Sequence, residues 1–162
     1  MYLTVHTSLS LVIGATATNP ILAFILAFLG HFFLDAIPHD SLKLHTWIKD
    51  KKLAEQNKIY FLIEILESAL ILITLGTLYF TNNLNFSTSM LAALIGGYLP
   101  DVLWGINNLT KNKIKILQKY HLIHNFIDRK FLTKYFLMPV YMEVGAQIVC
   151  FVFFIWLYLK IV

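Results

Sequence analysis

Five stretches of the chain are apolar along nearly their whole length, each bounded by polar or helix-breaking residues. The first runs from about Leu3 to Ala17 and stops at Thr18-Asn19-Pro20. The second runs from Ile21 to about Ile37, where Pro38 prevents a clean continuation. The third covers about Tyr60–Phe80, the fourth about Ser87–Trp104 and the fifth about Tyr135–Leu159. Runs of this length predict helices rather than strands. Most approach the roughly 20 residues that cross a bilayer. The expected fold is therefore all-α: one polytopic membrane helical bundle of about five helices over residues 1–162. The first run is short for a full crossing, so a tilted or partly inserted helix is expected there.

Composition strengthens this picture. Of 162 residues, 58% are hydrophobic and 14% charged, against roughly half and a quarter in ordinary soluble domains. A disordered chain, a collagen-like chain, a coiled coil and a large extramembrane domain are excluded. Cys150 is the only cysteine, so there is no disulfide framework and no CxxC metal site. Its expected role is that of a small buried hydrophobe. Ala15-Thr16-Ala17 has the small-x-small form of a signal cleavage site, but Met-Tyr-Leu-Thr-Val at residues 1–5 carries no basic residue. Cleavage is accordingly not expected.

The formal charge of +4 matters less than where the charges lie. Lys43, Lys49, Lys51, Lys52 and Lys58 fall between the second and third apolar runs. Lys111, Lys113, Lys115, Lys119, Arg129, Lys130 and Lys134 fall between the fourth and fifth, and Lys160 closes the set. Two loops on one side of a five-span bundle thus hold nearly all the positive charge. The positive-inside rule places both in the cytoplasm, with the N-terminus on that side.

The ionisable residues of the apolar runs gather at the same depth. His6 stands near the start of the first helix, and His31, Asp35 and His39 at the end of the second. Glu64 and Glu67 lie early in the third, Asp101 after Pro100 in the fourth, and Glu143 early in the fifth. His121, His124 and Asp128 lie in the loop between the last two. Such residues persist in a span only where function or a partner holds them. His31, Asp35 and His39 repeat at i, i+4, i+8, one stripe of a helix, although Pro38 leaves the placement of His39 open. His121, His124 and Asp128 share a face if their loop is helical. Imidazole with carboxylate favours zinc, manganese or iron over calcium, and enough donors are present for a bridged pair of ions. Ala93 and Gly97 lead to Asp101 at four-residue spacing, a small-residue stripe that would bring Asp101 towards the second helix.

Blander roles compete for several of these residues. His45, among Lys43, Thr46 and Trp47, reads as solvated loop, and His6 as an interfacial side chain. Glu64 and Glu67 would suit loop lysines, Glu143 would suit Gln147, and Asp128 would suit Arg129 or Lys130. The 111–134 segment alternates lysines with Ile114, Ile116 and Leu117, which suits an interfacial stretch on an anionic leaflet. Arg129, the only arginine, suits a phosphate as well as a positive-inside charge. The basic residues lie in juxtamembrane loops with no recognition motif, so no nucleic-acid partner is expected.

His31-Phe-Phe-Leu-Asp35-Ala-Ile-Pro38-His39, with Thr-Val-His6-Thr upstream and Gly97-Tyr-Leu-Pro100-Asp101 downstream, resembles a known group. It is similar to the small prokaryotic inner-membrane metal-dependent hydrolases, the YdjM-like, LexA-binding membrane hydrolase group. The resemblance covers most of the chain and includes the His121-x-x-His124 pair. It implies a metal site of His6, His31, Asp35, His39, Asp101, His121 and His124, in the inner (plasma) membrane of a prokaryote. Two departures stand out: Asp40 follows the Pro-His, where an aromatic residue is frequent, and the last histidine motif is sparse.

The expected activity is metal-assisted hydrolysis of an ester or phosphoester, with a divalent transition metal, zinc foremost and manganese or iron as alternatives. Asp40 or Glu64 would act as the general base. A site at headgroup depth suits an amphiphilic substrate such as a phospholipid or lipid-linked phosphate. Two other classes compete: a metal-ion or proton transporter, which needs polar residues through the whole membrane, and a non-catalytic scaffold binding a partner through its basic loops. The oligomeric state is left open.

Overall fold

The structure is a computed structural model that describes residues 3–36, 53–110, 113–130 and 140–162. Those residues form six α-helices and no strand: α1 Leu3–Thr16, α2 Pro20–Asp35, α3 Leu53–Phe80, α4 Thr88–Leu109, α5 Lys115–Lys130 and α6 Val140–Ile161. The all-α expectation holds for them. Two helices contain stretches long and apolar enough to cross a membrane, Thr88–Asn107 in α4 and Val144–Ile161 in α6. The apolar helices α1, α2 and the Ile65–Phe80 part of α3 are shorter.

Three boundaries differ from the hydropathy reading, each for a local reason. Helix α3 begins at Leu53 because five of the residues in Leu-Ala-Glu-Gln-Asn-Lys, all but Asn57, are good helix formers although the run is mostly polar. Helix α4 continues through Pro100 to Leu109. The proline deprives the Gly96 carbonyl of its usual donor without ending the helix. Helix α5 lies in the basic segment, where apolar content alone marks no element.

The turns are built by specific caps. Asn19 accepts from the Ile21 and Leu22 amides at 2.8 and 3.3 Å, and Pro20 occupies the first helical position. At the end of α3, Asn82 takes φ 56°. Its amide bonds to the Tyr79 carbonyl and that of Asn83 to the Leu78 carbonyl, the pattern of a Schellman cap. Asn83 then accepts from the Tyr158 hydroxyl at 2.5 Å, which ties this turn to α6.

Helix α1 is the centre of the assembly and packs on α2, α3, α4 and α6. The closest pairing is α2 with α4, where Ala23, Ala27 and Ala93 form a small-residue core. A Cβ on Gly96 would collide with the carbonyl oxygen of Phe24, and one on Gly14 would lie 2.7 Å from the Met90 Cα. Small residues here let helix backbones approach closely. The contact order shows the directions: Phe24 with Gly96 and His31 with Gly97 make α2 run with α4, while Gly14 with Met90 and Thr7 with Tyr98 make α1 run against it. A second core of Leu11, Leu78, Leu84, Met90 and Tyr158 closes the end away from His6 and His31.

Polarity is inverted relative to a soluble bundle. Thr4, His6, Thr7, Ser8, Ser10, His31, Asp35 and Gln147 are buried, while Leu29, Phe33, Leu72, Ile73, Ile95, Val149 and Trp156 are exposed. Several of the interior hydroxyls bond within their own helix: Thr7 to Leu3, Ser8 to Val5, Ser10 to His6.

Gly96→Ala is expected to lower the thermal unfolding midpoint in detergent, since overpacking against a backbone carbonyl costs about 1–3 kcal/mol. Gly76 has no neighbour within 4 Å of an added Cβ. Gly76→Ala should be neutral or stabilise by up to about 1 kcal/mol through helix propensity. Equal losses in both variants would refute the close α2–α4 approach as the cause.

Candidate metal centre

The close α2–α4 packing puts the last two turns of α2 beside Gly97–Asp101. His31 and Asp35, one turn apart on α2, face the same way: His31 Nε2 lies 2.9 Å from Asp35 Oδ2. Asp101 brings Oδ1 to 3.6 Å from the same nitrogen. From α5, His124 Nε2 stands 3.7 Å from Asp35 Oδ2 and 3.8 Å from Asp101 Oδ1. Ligand atoms of these four residues all lie within 4.8 Å of one another, and the group could hold a metal ion.

The donor chemistry fits such an ion in three respects. Ligands about 2.0–2.1 Å from a tetrahedral zinc are about 3.3 Å apart, and the four separations above bracket that value. Two carboxylates and two neutral imidazoles sum to the charge that a divalent cation balances. The third respect is orientation. His31 Nδ1 is 2.9 Å from the Gly97 carbonyl oxygen, which can only accept, so this nitrogen carries the proton. In a neutral ring Nε2 is then a bare lone pair, and it stands 2.9 Å from an Asp35 oxygen and 3.6 Å from one of Asp101. A lone pair directed at anionic oxygens is repulsive unless a cation lies between or the ring is protonated. Ligating histidines commonly donate their other N–H to a backbone carbonyl in this way.

Burial divides the four residues. The side chains of His31, Asp35 and His124 are 0%, 4% and 7% exposed, and that of Asp101 is 39% exposed. Asp101 therefore marks the accessible side of the group.

His6 supports the group from α1. Its Nε2 is 3.2 Å from Asp35 Oδ1, and its ring stacks on His31 with centroids 3.9 Å apart at 16°. Both oxygens of Asp35 thus face imidazoles. His121 stacks on Trp104, with centroids 6.1 Å apart at 20°, and is not part of the four-residue group. It sits a turn earlier on α5, alongside α4 instead of the end of α2. His39 and Asp40 lie outside the described residues, as do the side chains of Glu64, Asp128, Arg129 and Glu143.

Several contributors carry no sequence signal. The Gly97 carbonyl that orients His31 is a backbone atom, and Ser10 lies so close to Gly97 that a Cβ there would strike its hydroxyl. Glu67 accepts from the Leu3 amide at 2.7 Å, so its charge serves the N-terminus of α1. Tyr120, next to His121, donates to the Pro100 carbonyl at 3.0 Å and pins α5 onto α4. Burial, followed by the charges of Asp101 and Asp35, pushes its phenol well above the ordinary range, so it stays a donor.

Comparison of the chain with protein-family models, with curated proteins and with solved structures finds no match.

Tyr120→Phe should remove about 1 kcal/mol and loosen α5 selectively, read as faster amide exchange across residues 115–130 with α1, α2 and α4 unchanged. Glu67→Gln removes the negative charge at the α1 N-terminus and should destabilise the bundle by about 0.3–1 kcal/mol. Thermal unfolding of the purified variant measures that loss, and a midpoint equal to wild type would refute the capping role.

Proposed function

We propose that this chain is a polytopic membrane protein that binds a divalent transition metal at His31, Asp35, Asp101 and His124 and hydrolyses an amphiphilic phosphoester. The observation that carries the reading is His31, oriented by the Gly97 carbonyl so that Nε2 points at two carboxylates. Zinc suits two nitrogen and two oxygen donors at this spacing, with manganese or iron as alternatives.

Several features support membrane embedding. Apolar side chains cover the outside of the helices, while hydroxyls, imidazoles and two amides share the inside with the apolar cores. Soluble monomers rarely expose such continuous apolar surface. Helix α2 runs with α4, two helices further on, and α1 runs against it, directions consistent with alternating crossings. The short α1 and α2, 14 and 16 residues, reach about 21 and 24 Å. They would leave their polar ends near one face of a hydrocarbon core about 30 Å thick. That face carries both basic loops, which the positive-inside rule assigns to the cytoplasm.

The roles divide by position. The bound ion would supply Lewis acidity to a phosphoester oxygen. His31, Asp35 and His124 hold it in a buried pocket, and His6 keeps the Asp35 carboxylate in place from the opposite side. Asp101, the accessible member, faces the approach of the substrate. Asp40 or Glu64 is assigned the general base that takes the proton of the attacking water. Transport is the weaker reading, because a path from the His/Asp group would have to cross the Leu11–Leu78–Leu84–Met90–Tyr158 core.

Protein purified in mild detergent without chelator is expected to carry near-stoichiometric zinc, manganese or iron by elemental mass spectrometry. His31→Ala and His124→Ala should lose it, and His121→Ala should keep it. Metal-dependent release of phosphate or headgroup from phospholipid or lipid-linked phosphoester substrates should disappear in Asp101→Ala. No metal after reconstitution would overturn the proposal. Bound metal with no hydrolysis across such substrates would leave a metal-carrying transporter or scaffold.

A further inference from the structure

Helix α5 has two dissimilar faces. Its inner side carries His124, 5% exposed, and the Tyr120 hydroxyl bonded to Pro100. Ile116, Leu122, Ile123 and Phe126 are 75%, 70%, 58% and 55% exposed. At 100° per residue these four fall within a sector of about 120°, and its centre is roughly opposite His124. Lys119 projects from the middle of this sector and is exposed, as are Lys113 and Lys115 just upstream.

A soluble surface helix places its apolar stripe on the core and its charges outside. Here the inward side holds the ligand and the outward side is apolar with lysine among it. The surrounding segment, residues 111–134, has seven basic residues against the single carboxylate of Asp128. A basic helix with a large apolar face of this kind binds in the plane of an anionic lipid surface, its lysines reaching headgroup phosphates.

We propose that α5 lies in the surface of an anionic bilayer leaflet, with Ile116, Leu122, Ile123 and Phe126 inserted at the headgroup–acyl boundary. The lipid is the occupant because the face is both apolar and cationic, and because α5 packs on the bundle chiefly through α2 and α4, with Ile116, Leu122, Ile123 and Phe126 exposed among the described residues. The inference rests on the membrane reading above and deepens it. A ligand-bearing helix at this level places the His/Asp group at headgroup depth and selects the phosphate region of a lipid as its substrate zone.

The test uses the full chain with Cys150→Ser, reconstituted singly into nanodiscs of phosphatidylcholine with or without phosphatidylglycerol. Phe126→Cys on α5 and Val152→Cys on α6 carry the same environment-sensitive fluorophore. Quenching by a lipid-borne nitroxide is compared with quenching by aqueous acrylamide. The expected result is that the label at 126 is quenched several-fold more by the lipid nitroxide near the headgroups than by acrylamide, and more so with phosphatidylglycerol. Leu122→Cys provides a second label should the first disturb folding. Quenching at 126 and 122 by acrylamide alone would overturn the proposal. Protection from both quenchers would also overturn it, by pointing to cover from protein. Independence from phosphatidylglycerol would overturn the choice of an anionic surface. The label at 152 separates the two readings: lipid quenching there with aqueous quenching at 126 rejects the docking of α5 alone, whereas aqueous quenching at 152 rejects the membrane reading and the docking together.

Discussion

The carboxylate of Asp35 is the junction on which this bundle is organised. One oxygen faces His6 on α1, and the other faces His31 on its own helix and His124 on α5. An ionised carboxylate 4% exposed is tolerated only with compensating charge or donors around it, because stripping its hydration is worth several kcal/mol. Three helices bring imidazoles to it, and with the His31 ring proton held on Nδ1 by Gly97 the compensation falls to a cation shared with those rings. Asp101 then adds a second negative charge to the group, which makes a divalent cation the natural counterpart.

Helix α4 makes the convergence possible. Gly96 allows contact with the Phe24 backbone, and Gly97 lets Ser10 of α1 approach while presenting its carbonyl to His31. Pro100, a turn further on, interrupts the hydrogen-bond ladder and has its own carbonyl held by Tyr120. The sequence from Gly96 to Asp101 thus combines close packing, ligand orientation and one donor of the group in less than two turns.

The polarity of the interior follows from the same arrangement. Helix α1 packs against four others, and its buried Thr7, Ser8 and Ser10 turn to the carbonyls of their own helix while His6 turns to Asp35. An exterior of Leu, Ile, Phe and Trp is unusual for a soluble monomer, and it is the feature that the proposed membrane setting accounts for. The end of the bundle sealed by Leu11, Met90 and Tyr158 is dry, and the end holding His6, His31 and Asp35 is where charge collects.

The sequence by itself determined the helical class, the first two apolar helices to within a few residues, and the segments that bear the basic charge, because these depend on local composition. It also determined that His31 and Asp35 share a stripe, since i, i+4 spacing is a property of any helix. The approach of Asp101 was legible in the Ala93–Gly97–Asp101 repeat, as small residues at that spacing permit close contact. Tertiary structure alone decided the rest. Glu67 accepts from the first amide of α1, and His121 stacks on Trp104 while its neighbour His124 reaches the acids. The proton position on His31 rests on a backbone carbonyl, which every residue possesses and no sequence pattern marks. Contacts between helices distant in the chain depend on rotation and depth of packing, and those are set by the whole bundle at once.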